Sequence, residues 1–164
     1  MSEASATNQQ AADGRADFDF FVGTWHVRNR RLQRVLAESA EWEEFPATTV
    51  ARKTLGGLGN VDEISLTMAS GRREGMTVRL FDPELCLWRL YWVDSRQGTV
   101  QAPMIGKFTD GRGEFYGQES IEDRGVYCRY IWSDISATSC RWEQAFSVDG
   151  GRTWETNWVM EFTR

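Results

Sequence analysis

"CRWEQAFSVDGGRTWETNWVMEF", Cys140 to Phe162, is two alternating stretches around a glycine turn. In the first, Cys140, Trp142, Gln144 and Phe146 share one face. In the second, Trp154, Thr156, Trp158, Met160 and Phe162 share a face opposite Glu155, Asn157, Val159 and Glu161. A period of two is the signature of a strand with one buried side. The joining "VDGGR" reads as a hairpin loop, with Asp149 capping loop amides and Gly150 and Gly151 supplying positions at positive φ. The pair therefore reads as an antiparallel hairpin, Ser139–Ser147 with Thr153–Thr163, whose apolar set points inward.

The spacing Ser147-x-Asp149-x-Gly151-x-Thr153-Trp154 also matches the Asp-box, a short repeat of sialidase propellers. A six-bladed propeller at about four strands per blade needs far more chain than 164 residues. The sequence has no second copy of the box and no arginine cluster to go with one. The motif reads as a hairpin staple without chemistry of its own.

The same alternation recurs up the chain. Strands are predicted near Trp25–Leu32, Glu41–Leu55, Val61–Leu66, Met76–Phe81, Leu87–Asp94, Gln101–Phe108, Gly113–Glu119 and Tyr127–Asp134, before the two already described. Turn signals separate them: "GGLGN", "SGRREG", "DPEL" and "DGRG". "DFDFFVGTW" (Asp17 to Trp25) predicts a short helical turn packing Phe18, Phe20 and Phe21. Weak helical periodicity appears only over Arg31–Trp42. Sequential antiparallel strands with short turns predict an all-β fold, a single up-and-down antiparallel barrel of about 8–10 strands, because closure removes exposed edges. The barrel domain is assigned to 17–164. The polar stretch 1–16 reads as a disordered tail.

Composition narrows the function. The net charge is −5 and the pI about 5.0, with no basic run longer than Arg28–Arg31, so no nucleic-acid partner is expected. No apolar stretch approaches the ~20 residues of a membrane helix, and the start lacks a signal-peptide pattern, so neither membrane nor export is expected. Cys86, Cys128 and Cys140 lack CxxC spacing and read as free, mostly buried thiols of a cytoplasmic protein. With His26 as the single histidine, no metal site and no cofactor is assigned.

Five stretches together, "FDFFVGTWHVRNRRL", "LGGLGNVDE", "RLFDP" with the following "YWVDSRQG", "GEFYG" and "RWEQAFSVDGGRTWETNWVMEFTR", resemble a group of small bacterial lipocalin-like proteins known mainly as a domain of unknown function. Gly23-Thr24-Trp25 after a helical turn is similar to the Gly-x-Trp that closes one barrel end in the calycin superfamily. The resemblance implies a calycin-like barrel and a homodimer, and no established activity. Haem-binding calycins such as nitrobindins use a histidine near the C-terminus, where this chain has none.

Alternation also selects candidate site residues. Trp88, Leu90, Trp92 and Asp94 share a face in "LWRLYWVD", and Val27, Asn29 and Arg31 follow Trp25 in the first strand. Asn29, Arg31, Asp94 and Gln144 are polar on a face otherwise read as interior, where burial without partners is costly. They either form an internal network or orient a ligand. The ligand-binding set is Trp25, Asn29, Arg31, Trp42, Trp88, Trp92, Asp94, Trp142, Gln144 and Trp158. Its expected ligand is a small hydrophobic or aromatic molecule with one or two hydrogen-bonding groups. The alternative is a cofactor-independent isomerase, cyclase or hydrolase in the same cavity. It would use a carboxylate (Glu43, Glu44, Asp62 or Glu63), a tyrosine (Tyr91, Tyr116 or Tyr130) or an arginine such as Arg96 beside Asp94. A third reading is a filled barrel with no ligand.

Overall fold

The alternating runs become ten strands that close on themselves. The computed structural model describes residues 13–164. In chain order the strands are β1 (Gly23–Leu32), β2 (Trp42–Thr54), β3 (Gly59–Met68), β4 (Gly71–Asp82), β5 (Leu87–Asp94), β6 (Met104–Thr109), β7 (Arg112–Ile121), β8 (Arg124–Ser133), β9 (Ser139–Ser147) and β10 (Glu155–Thr163). Each pairs antiparallel with its sequence neighbours, and β1 pairs with β10 to complete the barrel. A 3₁₀ turn at Asp19–Phe21 precedes β1. No helix among the described residues is long and apolar enough to cross a membrane.

Three expectations are corrected. Arg31–Trp42 is not helical: β1 runs on to Leu32, and Leu36 and Glu38 in the loop beyond have φ of 56° and 50°. "SGRREG" is not merely a turn, because β4 begins at Gly71. Of the expected tail, 1–12 lies outside the described residues, whereas 13–16 forms a turn against the barrel. There the Trp88 indole N–H donates to the Gly14 carbonyl at 3.0 Å.

The barrel has a filled end and an open end. At the filled end Phe18 lies edge-on to Trp88 and Phe108, with ring centroids 5.0 and 4.8 Å apart, and packs beside Phe115. Each such aromatic pair adds about 0.5–1.5 kcal/mol beyond its buried area. Trp25 is fully buried beneath the turn, stacked on Phe21, and its N–H donates to the Phe21 carbonyl at 2.8 Å. Arg164 lies 4.0 Å over the Trp25 ring and donates to the carbonyls of Phe20, Val22 and Ala137. One side chain thereby latches the turn before β1, the end of β10 and the β8–β9 loop together.

At the open end stands the glycine-turn hairpin. The Asp149 carboxylate accepts from the amides of Arg152 and Thr153 at 3.0 and 2.9 Å, and from the Thr153 hydroxyl at 2.6 Å. The Ser147 hydroxyl donates to it at 2.8 Å. Gly150 and Gly151 turn the chain at φ 77° and 88°. The Asp-box is a loop staple here. The Thr153 and Ser147 hydroxyls and the loop amides hold the Asp149 carboxyl well below the usual carboxylate range. A depressed carboxylate stabilises the fold above its unfolded pKa of about 4 and ceases to do so as pH falls through its folded value. Asp149→Asn is therefore expected to be less stable than the parent at neutral pH, with the gap shrinking as pH drops below about 4. Urea midpoints measured across a pH series check this, and a gap independent of pH would contradict it.

The last strand carries one irregularity that alternation does not reveal. Thr156 pairs with Ala145 but Trp158 pairs with Gln144, leaving Asn157 as the extra residue of a β-bulge. The bulge reverses the phase of β10 at its start. Trp158, Met160 and Phe162 point inward as expected, whereas Trp154 is thrown outside, under Arg129 and near Tyr116.

Candidate functional site

Between the filled end and the open end lies a cavity of about 250 Å³. Its floor is Phe21, Trp132, Phe162 and Arg79. Its walls are Ile64, Leu90, Tyr130, Trp142, Phe146, Trp158 and Met160. Around the mouth stand Arg31, Val35, Arg73, Trp92, Gln97, Gln101, Glu119 and Ile121. The size and the aromatic lining suit one small, flat molecule.

Five of the ten expected residues come together on its surface: Arg31, Trp92, Trp142, Gln144 and Trp158. Two more act from behind it. Asn29 is fully buried and accepts from the Trp158 indole N–H at 3.0 Å, which fixes that ring. Asp94 is buried, pairs with Arg73, and accepts from the Trp92 indole and the amides of Arg96 and Gln97. Burial pushes the Asp94 carboxyl up, but the Arg73 guanidinium and these amides outweigh it and hold the carboxyl below the usual range.

Three expected residues lie elsewhere. Trp25 and Trp88 belong to the filled end, below the cavity. Trp42 is on the outside, where Arg30 covers its ring at 4.9 Å. The reason is alternation: Phe45 of the same strand is buried inside, so position 42 takes the opposite face. His26 is likewise outside and exposed.

Among the other named groups, Asp62 alone of the four carboxylates reaches the cavity, where it pairs with Arg79 at 2.5 Å. Glu44 faces Arg28 and Arg30 on the surface, Glu63 is exposed, and Glu43 accepts the Ala69 amide. Tyr130 lines the wall, Tyr116 is exposed, and Tyr91 alternates away from the inward Leu90 and Trp92. Arg96 is exposed and donates to the Ser70 hydroxyl.

The cavity also uses residues the sequence reading did not select. Glu119 projects from β7 on the face of Phe115; desolvation pushes its carboxyl up, partly countered by the Cys128 thiol and Arg31. Tyr130, across from Phe115 on β8, is driven well above its ordinary value by burial and the nearby Cys128 and Glu119. Arg79 sits about 5.1 Å from both the Phe18 and Phe21 rings, held by Asp62 and by Asn60 at 2.9 Å. Gly75 matters by what it lacks, since a Cβ there would overlap the Trp92 ring. A signal existed for Glu119, which alternates with Gly113, Phe115 and Gly117, and for Arg79, which shares parity with Phe81. Arg73 was hidden in apparent turn residues.

Neither a protein-family model nor a curated protein matches the sequence. Among solved structures the chain is similar to the S-type phycobiliprotein lyase CPES from Guillardia theta, with a TM-score of 0.59 and 11% identity. The likeness covers 94% of this chain and 96% of the lyase. At this identity the likeness supports the barrel fold alone.

Proposed function

We propose that the protein binds a small hydrophobic or aromatic molecule inside the barrel, acting in the cytoplasm. The observation that carries this reading is the cavity itself, with tryptophans on its walls and polar groups gathered at the mouth. A barrel of ten strands can either fill its interior or hold one small ligand. Here the filling stops at Phe21, Trp132 and Phe162, and the remainder is space. Three unpaired cysteines suit a reducing compartment. The lyase likeness adds a barrel of the same type and no chemistry, since fold does not fix function.

The test is a ligand screen read by tryptophan fluorescence. Aromatic ligands are expected to quench the parent protein and to bind Trp142→Ala about five- to tenfold more weakly, as loss of a stacking wall costs about 1–1.5 kcal/mol. No quenching across a broad aromatic library would overturn the reading.

A second reading, catalysis in the same cavity, draws on Glu119 and Tyr130, an acid and a phenol that both line the cavity and are shielded from water. Tyr130→Phe separates the two. A binder keeps its affinity, whereas an enzyme keeps affinity and loses turnover.

A further inference from the structure

Inside the barrel two of the three cavity-lining arginines are paired with acids, and the third, at the mouth, is left over. Arg79 is matched by Asp62 and Arg73 by Asp94. Arg31, on β1, lines the cavity and lies 4.8 Å over the Trp158 ring, yet among the described residues it has no hydrogen bond and no ion pair. Its environment is positive: burial works against its charge, and Arg73 and Arg96 add to that. The nearby acids are engaged elsewhere or retracted. Asp94 is occupied by Arg73 and two loop amides, Glu43 by the Ala69 amide and Glu155 by the Leu36 amide at 2.8 Å. Glu119, from β7 on the far side of the barrel, is the remaining counter-charge.

A second observation points the same way. The buried polar atoms left without partners in the barrel interior are all donors: Asn29 Nδ2, Arg73 Nε, Arg79 Nε and Trp132 Nε1. Nearly all buried donors in folded proteins find an acceptor. Three of these donors, on Arg73, Arg79 and Trp132, belong to residues that line the cavity, and they are complementary to a ligand that brings oxygens.

Resting on the binding reading above, we propose that the ligand is an aromatic carboxylic acid, its ring system packed against the cavity wall that Trp142 and Trp158 form together and its carboxylate received by Arg31. A guanidinium fork matches the two oxygens of a carboxylate, and partial desolvation strengthens the pair. The Trp158 ring beneath, itself pinned by Asn29, holds the fork in place for the incoming acid.

The experiment compares matched probes, naphthoate and naphthamide, which share a ring and differ in charge. Fluorescence titration with the parent should give about tenfold or more tighter binding of the acid, the size of a hydrogen bond to a charged group. Arg31→Gln should weaken naphthoate to the level of naphthamide and leave naphthamide unchanged. Arg31→Lys, which keeps the charge and loses the fork, should fall between. Glu119→Gln, which removes the competing counter-charge, should tighten naphthoate alone. Equal binding of acid and amide by the parent, or equal loss of both in Arg31→Gln, would overturn this inference and leave the binding reading intact. Binding of neither probe, nor of any aromatic ligand in the broader screen, would overturn both.

Discussion

Asp62→Ala is expected to destabilise the barrel by about 3–5 kcal/mol, enough to unfold a domain of ordinary stability. The Arg79 guanidinium that Asp62 neutralises is almost wholly buried, with Phe18, Phe21 and Trp132 around it. Deleting the carboxylate leaves a cation in an aromatic floor with only the Asn60 side-chain amide oxygen, Oδ1, to accept from it. The double change Asp62→Leu with Arg79→Met should recover most of the loss, because the expense lies in the stranded charge and not in the missing attraction. Urea unfolding followed by tryptophan fluorescence supplies both numbers. A loss below about 1 kcal/mol in Asp62→Ala would mean that water reaches the floor, since exposed pairs have that worth.

Trp25→Ala should cost about as much, 3–5 kcal/mol, for a different reason. The ring has no solvent exposure and fills the space between Phe21 and Arg164. Its removal opens a void, frees the Phe21 carbonyl and leaves Arg164 with nothing flat to lie on. Trp25→Phe keeps most of the volume and loses the hydrogen bond, so it should fall well short of the alanine change. Because Trp25 lies below the cavity, the folded fraction of either variant should bind aromatic ligands with parental affinity. Weaker binding in step with the lost stability would show that the filled end and the cavity are one cooperative unit.

These two changes also mark what could be read from the chain. Antiparallel strands were legible because each buries one face, and β5 and β9 have the bounds that alternation predicts. Trp142, Gln144 and Trp158 were placed inside by parity alone. The same rule fails where the chain departs from a two-residue period. The bulge at Asn157 sends Trp154 out, and nothing in "TWETNW" announces the extra residue. Depth along the barrel is equally silent in a sequence. Trp25 and Trp88 face inward as expected, but the turn at Asp19–Phe21 folds over them and leaves them under the cavity floor. Arg73 was missed because β4 extends through residues that make good turns.

The seam where β1 meets β10 has a further consequence. Nine of the ten strand pairings join strands consecutive in the chain, and this one alone joins its two ends. The entropy lost in closing a loop rises with the logarithm of its length, so the hairpins can form early and independently while the long-range closure comes late. The order of assembly is a curling ribbon first and a ring last. Until the ring closes the ribbon has two bare edges, and the interval before Arg164 reaches Trp25 is when neighbouring molecules are most able to exchange strands.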